Sequence, residues 1–294
     1  MRPQNLKTKI FLDGGDPVET IRIKELLGFL DGQTTNPTLI AKNPKARKRL
    51  EQGMKFSDRE VFDFYRQVVT TISDLIPEGS VSVEVFADAS TSAETMLRQG
   101  REMFSWIRNA HTKFPTSAQG LLAAEQAVRE GLRVNLTLCF TEEQAAAVYA
   151  ATRGAAKGQV FVSPFVGRLD DRGENGMDVV ANIIALYKLG DAHVEVLTAS
   201  VRTLDHLLFA LKLGSDIITA PFEILKAWAE KGMPVPAFDY QYNAKSLRSI
   251  PYQELDLSRP WQSYDIRHKL TDQGMARFSA DWNALIKADE RKIA

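Results

Sequence analysis

The sequence has 294 residues, of which 44% are hydrophobic and 25% are charged, so it can bury a large core. Lysine plus arginine and aspartate plus glutamate both number 37. This balance excludes a strong overall charge that would attract nucleic acid or an anionic membrane. The same composition excludes a chain that is disordered throughout. A small anionic ligand held in a local basic pocket is still compatible with it.

Export and membrane signals are missing from the sequence. The stretch from Met1 to Lys7 lacks the apolar core of a signal peptide, and no apolar run approaches the roughly 20 residues that span a bilayer. Cys139 is the single cysteine, so a disulfide framework is excluded, and its apolar neighbours indicate a small buried side chain. We therefore expect a cytoplasmic protein without membrane or nucleic-acid partners.

Short apolar runs between turn signals predict the strands. In chain order they cover Lys9 to Asp13, a short strand within Asp31 to Ile40, Val81 to Phe86, Ala110 to Pro115, Arg133 to Phe140, Val160 to Val166, Val194 to Ala199 and Asp216 to Ala220. Proline follows Asn36 in the second of these segments, so the backbone of Asn36 is expected to be extended.

Helical periodicity and capping residues predict a helix after each strand. The start signals are Asp16 with Pro17, Ser57 with Glu60, Thr91 with Glu94, Ser117, Thr141 with Gln144, Asn175, Thr203 and Pro221. The basic run from Lys42 to Lys55 is interpreted as a solvated connecting helix, in preference to an anion-binding patch. Alternating strands and helices predict a parallel sheet.

Eight such strand and helix units predict a single (β/α)8 TIM barrel, an α/β fold, over residues 1–230. Beyond Gly232 the periodicity stops until Leu270 to Ile286, which is typical of a terminal helix. We expect residues 231–294 to form a C-terminal extension that packs on the barrel or on a neighbouring subunit, which leaves a homo-oligomer open.

Polar residues occur two apart within three of the apolar strands. The pairs are Ser82 with Glu84, His111 with Lys113, and Asn135 with Thr137. In an antiparallel sheet such pairs could face water, whereas in a parallel barrel the outer face is covered by helices and they point into the barrel mouth. A buried lysine such as Lys113 is compatible with catalysis and equally with a structural ion pair.

Motifs for metal or nucleotide binding are missing from the sequence. The four histidines, His111, His193, His206 and His268, are scattered without the spacing of a zinc site. The glycine-rich sequences that bind dinucleotides or nucleoside triphosphates do not occur. We therefore expect neither a metal ion nor a cofactor.

Six segments, taken in order, resemble the signature segments of the transaldolase family. They are Phe11–Asp13, Thr34–Ile40, Glu84–Val85, Lys113–Pro115, Asn135–Leu138 and Ser163–Arg168. The resemblance extends over roughly the whole barrel. It implies an enzyme that forms a Schiff base with a lysine and transfers a dihydroxyacetone unit from a ketose phosphate to an aldose phosphate in the pentose phosphate pathway.

The resemblance also implies a role for each matching residue. Lys113 would form the imine, Asp13 would be the general base, and Glu84 and Thr137 would hold a water that relays protons. The expected substrate contacts are Asn36 and Asn135 to the retained fragment, Ser163 to the hydroxyl groups, and Arg168, Ser200 and Arg202 to the phosphate. Two guanidinium groups suit this last role because each presents a planar fork of donors.

Several positions depart from the family pattern. Gly14 replaces a hydroxyl residue, Phe86 stands where a polar residue is common, and the segment Ser117–Gln119 differs from the usual Thr-Trp-Glu. The related fructose-6-phosphate aldolases release the fragment and carry a tyrosine where this motif has phenylalanine; Phe140 and Phe165 offer no phenol, which favours transfer. A sugar-phosphate aldolase and a non-catalytic sugar-phosphate-binding barrel are the alternatives.

Overall fold

The eight predicted strands form one closed parallel barrel in the computed structural model, which describes residues 1–244 and 246–288. Each strand pairs in parallel with the next, and β8 pairs with β1. The strands are β1 (Lys9–Asp13), β2 (Gly32–Thr34), β3 (Ser80–Glu84), β4 (Ala110–Pro115), β5 (Val134–Cys139), β6 (Val160–Pro164), β7 (Val194–Thr198) and β8 (Ile217–Ala220). The predicted (β/α)8 fold is confirmed.

Helices surround the barrel and cover its outer face. They are α1 (Pro17–Leu27), α2 (Pro37–Ala41), α3 (Pro44–Glu51), α4 (Asp58–Leu75), α5 (Ala93–Phe104), α6 (Ala118–Arg129), α7 (Glu142–Ala151), α8 (Val166–Asp170), α9 (Gly176–Tyr187), α10 (Leu204–Leu213), α11 (Phe222–Glu230) and α12 (Lys269–Leu285). A 3-10 turn covers Trp261–Ser263. In the described ranges, none of these helices has the length and apolar character needed to cross a membrane.

Most predicted caps are present, and two differ. The reciprocal cap of Ser57 and Glu60 starts α4 as predicted. The predicted cap of Thr91 with Glu94 is wrong, because the Thr91 hydroxyl oxygen accepts from the backbone N–H of Asp88 at 3.0 Å and Ser92 caps α5 instead. Thr141 caps α7, but Oε1 of Gln144 accepts from the backbone of Phe140, so the cap is not reciprocal.

The basic segment Lys42–Lys55 contains one connecting helix, α3, as the sequence predicted. The short helix α2 precedes this segment and was not predicted; α2 and α3 each begin with an asparagine cap followed by proline, at Asn36 and Asn43. The backbone of Asn36 is extended, with φ −158°, as the following proline predicted. Lys42 lies between the two helices, is exposed as the solvated interpretation predicts, and also lines a cavity.

The described part of the C-terminal extension contacts the barrel. It runs over α7 and α9, where Glu142 accepts from the backbone of Gln253 at 2.8 Å and Asn182 donates to the carbonyl of Ile250 at 3.0 Å. The terminal helix α12 then packs against α2 and the end of β5. Residue 245 and residues 289–294 of the extension lie outside the described residues, and the boundary at residue 230 stays a prediction.

Candidate active site

The carboxyl ends of the barrel strands bring the predicted polar residues to one end of the barrel. The parallel register aligns Glu84 of β3 with Lys113 of β4, and Lys113 with Asn135 of β5. Asp13 ends β1 beside Thr34 of β2 in the same way. Since the carboxyl ends of barrel strands hold the active sites of enzymes with this fold, this end is the candidate site.

Lys113 lies at the centre of this group of residues. Its Nζ is 2.9 Å from Oε2 of Glu84, and the two side chains are only 4% and 5% exposed. The same ammonium donates to the carbonyl oxygen of Thr35 at 3.1 Å. A buried ammonium is therefore held by one carboxylate and one carbonyl, which fixes the direction in which its nitrogen points.

Glu84 is positioned by a residue that the sequence did not single out. The backbone N–H of Glu84 donates to the hydroxyl of Tyr65 at 2.9 Å, and that hydroxyl also lies 2.6 Å from Oγ1 of Thr35. Burial raises the pKa of the Glu84 carboxyl, and the positive charge of Lys113 acts in the opposite direction. Tyr65 thus ties the strand carrying Glu84 to the loop that supplies the second acceptor of Lys113.

Asp13 lies on the other side of the barrel mouth. It accepts a hydrogen bond from the Thr34 hydroxyl at 2.7 Å, and Thr34 in turn lies 2.6 Å from the hydroxyl of Thr219. Burial raises the pKa of Asp13, while Lys113, the Thr34 hydrogen bond and Lys42 lower it. A carboxyl group with a raised pKa exchanges a proton more readily near neutral pH, as a general base must.

A chain of hydrogen bonds joins the polar residues of β3, β5 and β6. The Ser163 hydroxyl donates to Oδ1 of Asn135 at 2.7 Å, and Nδ2 of Asn135 donates to the Ser82 hydroxyl at 3.0 Å. Thr137 is fully buried two residues further along β5. Its hydroxyl has no hydrogen-bond partner among residues 1–244 and 246–288, so it is available to a ligand or a water.

The mouth encloses a cavity of about 230 Å³. Its lining includes the predicted residues Asp13, Asn36, Lys113, Ser163, Arg168, Ser200 and Arg202. Oδ1 of Asn36 accepts from the backbone of Leu39 at 2.9 Å, which leaves the amide NH2 for a ligand. Glu84, Asn135 and Thr137 do not line the cavity but contact or neighbour residues that do.

Two predicted arginines lie at the outer end of the cavity. The Arg168 guanidinium is held over the rings of Phe165 and Phe278, 5.6 and 5.5 Å from their centroids. Arg202 is paired with Asp171. A side chain at Gly167 would place its Cβ 2.5 Å from Nε of Arg202, so only glycine permits this approach.

The sequence did not single out several cavity residues. They are Thr34, Thr38, Leu39, Ala199, Thr219, Lys42, Arg277 and Phe278. The last two belong to α12, about 110 residues along the chain from Arg168. Lys42 was identified only as part of a basic run, and the terminal helix was predicted without a link to the site.

The family profile and the related proteins that match this chain belong to the same family. The sequence profile described as "Transaldolase/Fructose-6-phosphate aldolase" matches residues 10–288. A "Probable transaldolase" from Dehalococcoides mccartyi is 34% identical over 279 residues, which cover 95% of this chain and 100% of that protein. One from Anaeromyxobacter dehalogenans is 35% identical over 280 residues, with 95% and 99% covered. The chain belongs to the transaldolase/fructose-6-phosphate aldolase family.

Proposed function

We propose that this protein is a transaldolase, which moves a dihydroxyacetone unit from a ketose phosphate to an aldose phosphate through a Schiff base on Lys113. Sedoheptulose 7-phosphate or fructose 6-phosphate would be the donor, and glyceraldehyde 3-phosphate or erythrose 4-phosphate the acceptor. The observation that carries the proposal is the buried Lys113 ammonium, 2.9 Å from Glu84, at the base of a cavity whose outer end holds Arg168 and Arg202.

Imine formation begins when the Lys113 ammonium gives a proton to the Glu84 carboxylate 2.9 Å away, and the neutral amine then attacks the ketone carbon to form a carbinolamine. Loss of water from that carbon requires a proton, which Glu84 delivers through a water held by the Thr137 hydroxyl. Burial supports this role because it raises the pKa of the Glu84 carboxyl, so that the group takes up a proton and returns it more readily. The product is a protonated imine joined to Lys113.

Carbon–carbon cleavage follows between C3 and C4 of the ketose, one bond removed from the imine carbon C2. Asp13 takes the proton of the hydroxyl on the departing carbon, an aldehyde leaves, and the electron pair of the broken bond moves into the imine to give an enamine. Asn36, Asn135 and Ser163 hold the retained three-carbon fragment. The enamine then attacks the acceptor aldehyde, Asp13 returns the proton, and water hydrolyses the imine.

The outer arginines define the phosphate end of the substrate. Arg168 and Arg202 line the cavity with Ser200, and planar guanidinium groups match phosphate oxygens in pairs. Release of free dihydroxyacetone needs a proton at the enamine carbon, and Phe165, which lines the cavity, offers no phenol to supply it. Its lack of a hydroxyl supports transfer. A cytoplasmic location and a role in the pentose phosphate pathway belong to the same proposal.

Two experiments test the function. Reduction with borohydride in the presence of fructose 6-phosphate should leave a stable three-carbon adduct on the peptide containing Lys113, and the folded Lys113→Ala variant should carry none. An adduct-free wild type would exclude the Schiff base. A coupled assay with and without erythrose 4-phosphate then separates transfer from cleavage: product that forms only with the acceptor means transfer, and free dihydroxyacetone without it means an aldolase.

A further inference from the structure

The terminal helix α12 places a third arginine at the phosphate end of the cavity. Arg277 lines the 230 Å³ cavity above Lys113 and also an adjoining cleft of about 510 Å³. Three residues line both spaces: Arg168, Arg202 and Arg277. Arg277 therefore stands at the junction through which the phosphate end of a substrate would project.

Within the described residues Arg277 makes one long ion pair, which leaves its guanidinium able to bind a ligand. Its nearest carboxylate, Asp281 one turn further along α12, lies 3.9 Å from Nε, beyond hydrogen-bond distance. Asp281 instead accepts a hydrogen bond from the Thr38 hydroxyl of α2. The Arg277 side chain is 61% exposed, so packing against the protein does not account for its position.

The adjoining cleft has a large excess of positive charge. Five basic side chains and one carboxylate line it: Arg168, Arg172, Arg202, Lys269, Arg277 and Asp171. Burial lowers the pKa of the Arg168 guanidinium, and the positive charges of Arg277 and Arg202 act in the same direction. The positive charges of these arginines repel one another. A dianion bound between them would be attracted by each of them and would offset this repulsion.

The packing of α12 brings Arg277 to this place. A Cβ at Gly274 would lie 2.5 Å from Cδ2 of Leu138 and 3.0 Å from a guanidinium nitrogen of Arg168, so the helix approaches the barrel as closely as glycine allows. Residues three apart share a helix face, which places Arg277 over the same edge. Thr271, another three residues earlier, donates to the carbonyl of Leu138 at 2.9 Å and fixes the register.

We propose that Arg277 is a third phosphate-binding residue, supplied by the C-terminal helix, and that it makes the enzyme prefer phosphorylated over unphosphorylated ketoses. The proposal rests on the proposed function for its substrate class. The anion would bridge Arg277 with Arg168 and Arg202, so that α12 contributes binding energy from an element outside the barrel strands. Each charge-assisted hydrogen bond to phosphate is worth about tenfold in affinity.

The test compares Arg277→Gln with the control Arg267→Gln. Arg267 precedes α12, is 88% exposed and lines neither space. For Arg277→Gln we expect the Kd for inorganic phosphate, measured by calorimetry, and the KM for fructose 6-phosphate to rise about tenfold. The kinetic constants for unphosphorylated fructose should stay within about twofold of the wild type, and those of Arg267→Gln should be unchanged for every ligand.

The outcomes separate this inference from the proposed function. Phosphate affinity and KM that stay within about twofold of the wild type in Arg277→Gln would overturn the third-ligand role, as would an equal loss with unphosphorylated fructose. Absence of the Lys113 adduct in the wild type would overturn the Schiff-base proposal. In that case the calorimetric titration with inorganic phosphate still decides whether Arg277 binds the anion, because it requires no turnover.

Discussion

Nζ of Lys113 and Oε2 of Glu84 lie 2.9 Å apart in a site where both side chains are about 95% buried. Removing one charge of such a pair leaves the other without a partner in a medium of low dielectric constant. Glu84→Gln should therefore lower the free energy of unfolding by about 2 kcal/mol, less than a full pair deletion because the amide still accepts a hydrogen bond. Urea unfolding at pH 7 measures it.

The exposed pair of Lys226 with Glu230, 3.9 Å apart, supplies the control for this prediction. Glu230→Gln should change the free energy of unfolding by less than about 0.5 kcal/mol, because water screens exposed pairs. An equal decrease in the free energy of unfolding in the two variants would mean that the buried pair stabilises the barrel no more than an exposed pair does. Glu84→Gln should in addition slow formation of the borohydride-trapped adduct, since it cannot donate the proton.

Asp13→Asn should remove the loss of stability that ionisation of the buried Asp13 carboxyl causes as the pH rises. Burial raises the pKa of Asp13 above its ordinary value of 3.8, so between 3.8 and the raised pKa the folded protein binds more protons than the unfolded chain. The stability of the wild type therefore falls as the pH rises through this window. Asparagine does not ionise, so the variant should match the wild type below pH 3.8 and exceed it at neutral pH.

Turnover of Asp13→Asn should fall at least about a hundredfold, because asparagine cannot accept the proton during carbon–carbon cleavage. Thermal unfolding measured from pH 3 to pH 8 gives the dependence of stability on pH, and kcat measured at each pH gives the dependence of turnover. Asp63→Asn, at an exposed carboxylate on α4, serves as the control and should change neither. A variant that is less stable than the wild type at neutral pH would contradict the cost assigned to Asp13.

Thr137→Val should separate a functional hydroxyl from a structural one. The Thr137 hydroxyl is buried without a hydrogen-bond partner in the described part of the chain, so its replacement by a methyl group removes no protein hydrogen bond. The free energy of unfolding should rise or stay within about 1 kcal/mol of the wild type. The kcat should fall about tenfold or more, because the water used in imine formation loses its holder.

Thr112→Val on the neighbouring strand is the matched control for Thr137→Val. Its hydroxyl is equally buried but donates to the carbonyl of Gly100 at 3.3 Å. Thr112→Val should cost about 1 kcal/mol of stability and leave kcat unchanged. The opposite pattern, with Thr137→Val unstable and fully active, would assign the Thr137 hydroxyl a structural role.

Local sequence patterns predicted the barrel and the strand-end residues, because a both-face-buried strand is an apolar run and a polar side chain within it stands out. Asp13, Glu84, Lys113 and Asn135 were located in this way, and the parallel register brings them together. Their roles came from the resemblance to a family. The strand pattern alone left Lys113 open to a purely structural interpretation.

Local sequence patterns could not predict which residues pack against partners that are distant in the sequence. Arg277 lies on a helix whose periodicity marks only its buried face, and nothing near it in the sequence indicates that Gly274 packs against Leu138 and Arg168. Lys42 lay in a basic run whose members are mostly exposed, so its position at the cavity could not be separated from theirs. Capping predictions failed where another backbone donor occupied the capping oxygen, as the N–H of Asp88 does at Thr91 and the N–H of Phe140 does at Gln144.

Gly274→Ala tests whether the close approach of α12 positions the phosphate end of the site. The added Cβ would meet Leu138 at 2.5 Å and an Arg168 nitrogen at 3.0 Å, so the helix or both side chains must shift. Overpacking of this kind costs about 1–3 kcal/mol, of which the better helix propensity of alanine returns about 1 kcal/mol. We expect a net loss of about 1 kcal/mol and a several-fold higher KM for fructose 6-phosphate, since Arg168 and Arg277 are displaced together.

Ala276→Ser, on the exposed side of the same helix, is the control for Gly274→Ala and should change neither quantity by more than about 0.5 kcal/mol or twofold. Chemical denaturation and donor-saturation kinetics on the two full-length variants supply both measurements. A Gly274→Ala protein that is more stable than the wild type and binds phosphate equally well would mean that the helix propensity of alanine outweighs the steric clash with Leu138 and Arg168. In that case α12 would rest loosely on the barrel, and its glycine would not be required for substrate binding.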